Sequence, residues 1–193
     1  ITSAGRLNRL LDLGIAARAQ AEWVVDPQLL SAVNGMTDGY QVAGPQGVPV
    51  PGGSPQPAID WLSKARVGLN TAAVSASAYA TPDVTALTRA KMTQEIVQAT
   101  AASAESVTTL LGRPVTTNLG CPPGTRTDSK TLSLLQKSGV RTVILDRGAL
   151  IPSENDAGNI GSAVIRTESG PLSAVLTDRV LSSSLGSAAS SAQ

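Results

Sequence analysis

Histidine is absent from this chain of 193 residues, and cysteine occurs once, at Cys121. The absence of histidine excludes Ser-His-Asp and Cys-His nucleophilic sites, as well as any metal site with an imidazole ligand. A single cysteine cannot form a disulfide within the chain, so it fits an oxidising or a reducing compartment. We interpret Cys121 as a small packing residue in a turn or as a thiol that pairs with another chain, and we expect no metal and no cofactor.

Aromatic residues make up only 2% of the chain, and they are Trp23, Tyr40, Trp61 and Tyr79. Stacking platforms for bases or sugar rings are therefore scarce. The 15 basic and 14 acidic residues are scattered without blocks and leave a net charge of +1. Such a surface offers no strong field to a phosphate backbone or an anionic membrane, so we expect no nucleic-acid partner.

Long apolar runs are also missing, because no segment approaches the roughly eighteen apolar residues of a membrane-spanning helix. The first residue is Ile rather than Met, and no signal-like segment follows it. This start is typical of a processed or excised piece of a longer protein. Phosphate-binding glycine motifs and the Gly-x-Ser-x-Gly pattern are absent too, so nucleotide binding and α/β-hydrolase chemistry have no support.

The most informative stretch that is present runs from Glu22 to Leu30, EWVVDPQLL. Its β-forming residues favour a strand at Trp23 to Val25. Pro27 fits the first turn of a following helix, and Asp26 can cap the free N–H groups of that helix. The same order of strand, cap and helix returns at Thr81-Pro82-Asp83, where Thr81 or Asp83 can be the cap.

Strand candidates alternate with helices along most of the chain. The first four strands are predicted at Trp23 to Val25, Ala72 to Ala76, Val115 to Leu119 and Thr142 to Leu145, and SAVIRTE and PLSAVLTD follow as two more. Alternation of this kind implies parallel strands joined by right-handed crossovers. The pattern predicts an α/β fold, either an open doubly wound sheet or most of a parallel (β/α) barrel.

We expect one α/β domain over residues 1–185 and a flexible, low-complexity tail over residues 186–193. The first helix is predicted from Ser3, as its cap, to about Leu13, where Gly14 interrupts the pattern, and a longer amphipathic helix runs from Thr93 to Leu111. The glycine- and proline-rich stretch from Gln41 to Pro57 predicts a long, mobile, structureless loop.

Acidic residues follow the predicted strands and would gather at one rim of the sheet: Asp26, Asp83, Asp146 and Asp178. Parallel sheets bind ligands beyond the carboxyl ends of their strands. A pair of carboxylates there could serve glycoside hydrolysis as general acid and base or nucleophile. Capping is the simpler role for three of them, because a helix begins after each. Asp146 differs, since no obvious helix follows it.

Glu154 and Asp156 are the only other acids that could complete such a pair without serving as caps. The catalytic candidates are therefore Asp26, Asp146, Asp178 and Glu154. The candidates for binding at the strand-end rim are Asp26, Tyr79, Asp83, Cys121 and Asp146.

A series of short motifs resembles a known family when the motifs are taken together and in order. They are WVVDPQLL, the DGY of residues 38–40, the IDWL of residues 59–62, the AYATPDVTAL of residues 78–87 and the LLQKSGVRTVIL of residues 134–145. The series is similar to DUF6049, a family of large actinobacterial proteins of unknown function, over roughly residues 3–185. The resemblance implies an extracytoplasmic part of a single-pass membrane protein of the cell envelope, often encoded beside a lipid II flippase-like protein.

The resemblance also implies a (β/α) barrel, complete or incomplete, of the glycoside hydrolase/deacetylase type. Asp26 matches an acid at the end of the first strand of polysaccharide deacetylases, but their two metal-binding histidines have no counterpart here. Cys121-Pro122 stands where relatives often show Trp-Pro.

Two functions follow as expectations. The first is a non-catalytic, membrane-anchored envelope module that binds a protein partner, such as the flippase-like protein, or a glycan. The alternative is a metal-independent glycosidase-like enzyme that uses carboxylates at the rim. A filled or shallow rim would favour the module, and a close carboxylate pair in a deep pocket would favour the enzyme.

Overall fold

The structure is a computed structural model that describes residues 1–2, 4–17, 20–122, 127–149, 161–178 and 180–184. The helices are α1 (Arg6–Ala17), α2 (Pro27–Gly35), α3 (Gln56–Gly68), α4 (Val84–Arg89), α5 (Thr93–Leu111) and α6 (Ser129–Lys137). The strands are β1 (Glu22–Val25), β2 (Gln41–Ala43), β3 (Pro49–Pro51), β4 (Ala73–Ala76), β5 (Leu119–Gly120), β6 (Thr142–Asp146), β7 (Ser162–Thr167) and β8 (Gly170–Thr177). Residues 180–184 are helical.

The strands form three small sheets and no closed barrel over the residues described, so the predicted (β/α) barrel is wrong. The sheets are β1-β4, β2-β3 and β5-β6-β8-β7. A barrel of this type needs a helix between successive parallel strands. Only the two residues Glu168 and Ser169 join β7 to β8, and such a short connection makes that pair antiparallel.

Strand prediction succeeded where β-forming or small residues are bounded by turns. The strands expected at Trp23 to Val25, Ala72 to Ala76 and Thr142 to Leu145 are confirmed as β1, β4 and β6, and β1 pairs with β4 in parallel. The strand expected at Val115 to Leu119 is shorter than predicted. Thr116 forms an isolated parallel bridge with Ser75, whereas Leu119 and Gly120 pair with β6. This segment therefore changes partners halfway and links the β1-β4 sheet with the β5-β6-β8-β7 sheet.

The stretch from Gln41 to Pro57 is not structureless, contrary to the sequence prediction. Strands β2 and β3 form an antiparallel hairpin in which Val42 lies opposite Val50. Proline is tolerated in β3 because edge strands need not donate on both sides. The Tyr40 ring covers Gly52, where an added Cβ would lie 2.3 Å from the ring, and the Tyr40 hydroxyl accepts a hydrogen bond from the Gly53 N–H. This local packing supplies the order that the composition did not predict.

Helix α1 continues past Gly14, which was predicted to interrupt it. A Cβ at Gly14 would lie 1.7 Å from the indole ring of Trp23, so the missing side chain lets α1 pack directly against β1. Glycine is used here for close approach rather than for a turn. The predicted capping residue of α1, Ser3, lies outside the described residues. The helix predicted from Thr93 to Leu111 is confirmed as α5.

Two clusters of buried apolar residues form the interior. The N-terminal core includes Leu11, Leu30, Trp61 and Val107, and packs β1 and β4 against α1, α2, α3 and the second half of α5. The C-terminal core is built around β6 and β8, with α4 and α6 packed on them. Ile96, in the first half of α5, belongs to this second core, so α5 contributes to both.

Candidate functional site

Asp26 lies at the strand-end rim, defined here by the residues that follow the carboxyl ends of the parallel strands. Its Oδ1 accepts a hydrogen bond of 2.9 Å from the Gln28 N–H and so caps α2. The same oxygen accepts a second bond of 3.2 Å from the Ala80 N–H. The predicted cap is confirmed, and Asp26 also ties the loop after β4 to the end of β1.

The loop that Asp26 holds has an unusual backbone. Ala80 and Thr81 both have positive φ angles, of 63° and 40°, which are strained for residues with a Cβ. The Thr81 N–H donates to the Ala78 carbonyl and the Tyr79 N–H donates to the Ala99 carbonyl of α5. Tyr79, a predicted binding residue, is half-buried. These bonds stabilise a tight path from β4 into α4.

Asp83 and Asp178 are caps as the sequence predicted. Asp83 Oδ1 accepts from the backbone N–H groups of Thr85 and Ala86 at the start of α4. Asp178 Oδ1 accepts from two backbone N–H groups of the helix at residues 180–184, at 2.8 and 2.9 Å. Both carboxylates are exposed, and each has one oxygen committed to a helix terminus.

The Asp146 side chain also accepts a backbone hydrogen bond, although the sequence shows no obvious helix after it. A 3₁₀ turn follows at Arg147–Ala149, and the Gly148 N–H donates to Asp146 Oδ1 at 2.7 Å. This turn could not be predicted from the sequence, because three residues are too few to show a helical periodicity. Glu154, the remaining catalytic candidate, and Asp156, the other acid of the same loop, lie outside the described residues.

Cys121 borders a small cavity between the ends of β4 and β5. The cavity has a volume of about 30 Å³, and Ser77, Pro82, Leu119 and Val140 are among the residues that line it. Burial raises the pKa of the half-buried Cys121 thiol, and the negative charge of Glu22 raises this pKa further. Both effects disfavour the nucleophilic thiolate.

The rim therefore brings Cys121 and small apolar residues together, but it does not gather the aspartates into the same cavity. A volume of about 30 Å³ holds a water molecule or two, far less than a sugar ring needs. Among the residues that the structure describes, no group of three or more acidic or cysteine side chains could hold a metal ion.

A second surface was not predicted from the sequence. One face of the β1-β4 and β5-β6-β8-β7 sheets packs against the helices, whereas the alternate residues form what we call the open face. The open face includes Glu22, Val24, Ser75, Thr116, Asn118, Thr142, Ile144, Ser162, Val164, Arg166, Ser173 and Val175. Val164 is 71% exposed and Val175 is 45% exposed, so in the described part of the chain helices do not cover this side.

Four of these residues form a hydrogen-bonded polar row across the open face. The Ser75 hydroxyl donates to Glu22 Oε1 at 2.8 Å and lies 3.1 Å from the Thr116 hydroxyl. The Thr116 hydroxyl lies 3.0 Å from Asn118 Oδ1, to which it donates. Ser75 is 1% exposed, whereas the other three are exposed. The hydroxyl of the buried Ser75 is thus hydrogen-bonded to two exposed members of the row, Glu22 and Thr116.

A groove of about 280 Å³ runs beside this polar row. Glu22 and Val24 line it from β1, Asn118 and Leu119 from the segment at β5, Thr142 and Ile144 from β6, and Val175 from β8. Because side chains from β1 and from β8 reach the same groove, the open face is concave. The only local signal for this site is the alternation of polar and apolar residues in the strands, which does not say which strands become neighbours.

Comparison with known proteins gives one positive result. The model of a family of unknown function, DUF6049, matches residues 2–193 and so confirms the resemblance seen in the sequence motifs. No curated protein matches the chain. None of the helices in the described ranges combines the length and apolar character that crossing a bilayer requires.

Proposed function

This chain belongs to DUF6049, and we propose that it is a non-catalytic, extracytoplasmic module of a cell-envelope protein that binds a protein partner through its open face. The envelope location follows from the resemblance that the motif series carries. Anchoring of the full-length protein in the membrane follows from the same resemblance. The same resemblance suggests a lipid II flippase-like membrane protein as the first partner to test.

The proposal that the module is non-catalytic rests on the hydrogen bonds and the cavity size at the strand-end rim. Asp26, Asp83, Asp146 and Asp178 each accept backbone N–H groups. A general acid or base needs a carboxyl group that can reach a substrate. The cavity at the rim has only about 30 Å³, so it leaves no room for a glycosidic bond between two such groups.

The open face supports the binding part of the proposal. Parallel sheets in soluble proteins are usually covered on both sides. Here Val175, on β8, which pairs in parallel with β6, is 45% exposed beside the polar row, and Val164, on the antiparallel edge strand β7, is 71% exposed. An exposed apolar surface edged by polar side chains is typical of an interaction site.

A protein fits this face better than a glycan does. Sugar rings are commonly held against aromatic side chains. Within the described ranges the aromatic residues lie elsewhere: Trp23 packs on α1, Trp61 is buried in the N-terminal core, Tyr40 covers the hairpin and Tyr79 lies in the loop after β4. The face instead offers aliphatic side chains together with hydroxyl, amide, carboxylate and guanidinium groups, which match a protein surface.

The test is a binding measurement between this chain and the purified flippase-like protein in nanodiscs, by biolayer interferometry. Val164→Lys should weaken binding by at least about tenfold, because it places a charge in an apolar contact. Val67→Lys is the matched control, since Val67 is 80% exposed on α3 and should leave binding unchanged.

Three results would overturn the proposal. They are release of sugar or acetate from peptidoglycan by the purified chain, equal binding by both valine variants, and retention on purified peptidoglycan together with no affinity for the protein. The last result would favour a glycan as the partner.

A further inference from the structure

The Glu22 carboxylate is held in a fixed position at the edge of the groove. Its Oε1 accepts the hydrogen bond from Ser75, whose hydroxyl is almost completely buried, and the Thr116 hydroxyl lies on the other side of Ser75. The side chain of Glu22 itself is exposed. An anchored carboxylate loses less conformational entropy on binding than a freely rotating one does.

The other walls of the groove are aliphatic or uncharged. Val24, Ile144 and Val175 supply the aliphatic surface, and Asn118 and Thr142 supply an amide and a hydroxyl. Among the residues that the structure describes, those lining the groove include no lysine or arginine. Two ion pairs found among the described residues, Lys64 with Asp12 and Arg89 with Asp128, do not involve Glu22.

We propose that the groove takes a lysine side chain of the protein partner, with its ammonium group on Glu22 and its methylene stem against Val24, Ile144 and Val175. A carboxylate beside apolar surface is complementary to a cation on an aliphatic stem. Lysine fits better than arginine because Glu22 Oε1 already accepts the Ser75 hydroxyl, whereas guanidinium favours both oxygens of a carboxylate. A compact ammonium group can use the other oxygen together with single acceptors such as the Thr142 hydroxyl. This inference rests on the proposed binding function.

The experiment uses small probes, so it does not depend on knowing the partner. Nα-acetyl-L-lysine methylamide is titrated into the ¹⁵N-labelled chain, and amide shifts are followed by NMR. The norleucine analogue, which keeps the four-carbon aliphatic chain of lysine but lacks the ammonium group, is the matched probe. We expect saturable shifts at Val24 and Ile144, affinity on the order of millimolar, and at least about tenfold weaker binding of norleucine. Added salt should weaken only the lysine probe.

Variants assign the binding to Glu22. Glu22→Gln keeps the shape of the side chain and should lower the affinity for the lysine probe by about tenfold. Ser75→Ala should lower it by a smaller factor, since the carboxylate remains but loses its anchor. Glu95→Gln, an exposed carboxamide change on α5, should have no effect. Unchanged Ile144 resonances in the free variants would show that the fold is intact.

The inference is wrong if lysine and norleucine probes bind equally, if no saturable shifts occur, or if Glu95→Gln weakens binding as much as Glu22→Gln. Failure here and failure of the proposed function remain distinguishable. If the lysine probe does not bind but Val164→Lys still weakens partner binding, the open face is an interface without a lysine site. If the lysine probe binds but Val164→Lys has no effect, the groove is a site and the wider interface proposal fails.

Discussion

Replacing Asp26 by alanine should cost more stability than removal of an ordinary helix cap. Its Oδ1 accepts one hydrogen bond from Gln28 in α2 and another from Ala80 in the loop after β4. Loss of a cap costs about 1 kcal/mol, and loss of the second bond adds about 1 kcal/mol. We therefore expect Asp26→Ala to lower the free energy of unfolding by about 2 kcal/mol, or the Tm by about 4–8 °C for a chain of this size.

The measurement is urea unfolding at pH 7, followed by tryptophan fluorescence. Trp61 is buried in the N-terminal core and Trp23 packs against it, so the signal reports on the half of the molecule that contains Asp26. Linear extrapolation then gives the free energy of unfolding, provided that the slope with urea is the same for the variant and the parent.

Two control variants separate the effect of the second hydrogen bond from that of an ordinary helix cap. Asp26→Asn keeps an oxygen acceptor and a good capping residue, so it should cost less than about 0.5 kcal/mol. Asp83→Ala removes a carboxylate whose bonds stay within the first turn of α4 and should cost about 1 kcal/mol. The reasoning is refuted if Asp26→Ala costs no more than Asp83→Ala, or if Asp26→Asn costs as much as Asp26→Ala.

Three further predictions concern backbone and charge. Gly14→Ala should destabilise the chain by about 1–3 kcal/mol, because the added methyl group clashes with Trp23. Gly35→Ala should be neutral or stabilising, because its methyl group meets nothing within 4 Å. Thermal melts in which Gly14→Ala has the higher Tm would contradict this prediction. Ala80→Gly should stabilise by about 1 kcal/mol, because φ is 63° there, and a lower Tm would show that no strain is relieved. Hydrogen bonds from Thr131 lower the pKa of Asp128. The contribution of Asp128 to stability is therefore present above about pH 4 and is lost as the pH falls through the lowered pKa. Asp128→Asn should reduce the loss of unfolding free energy at acid pH, measured by urea unfolding; an unchanged loss would assign it to other carboxylates.

The features that the sequence predicted well are those that depend on neighbouring residues. β1 is a run of β-formers that stops at Asp26-Pro27, and both the strand and its cap follow from side-chain shape and hydrogen-bonding capacity. β6 lies between the turn at Gly139 and Asp146 for the same kind of reason. None of these predictions needs knowledge of which strands pair.

The features that sequence reasoning missed depend on distant contacts. Nothing in the small-residue segment around Ser75 says that its hydroxyl will meet Glu22, 53 residues away. The order of strands in a sheet is likewise set by long-range pairing, so alternation of strands and helices suggested a barrel that the β7-β8 hairpin contradicts. The hairpin of β2 and β3 was missed because composition counted against it, while the packing of Tyr40 favours it.

Helix α5 has a consequence for the dynamics of the molecule. Its first half contributes Ile96 to the C-terminal core, and its second half contributes Val107 and Leu111 to the N-terminal core. Between them lies Ser103, which is completely buried. If either core opens alone, one half of α5 still keeps its packing, so its central amides can exchange with solvent only when both cores open. The middle of α5 should therefore be the slowest-exchanging segment in deuterium oxide and should report the global stability.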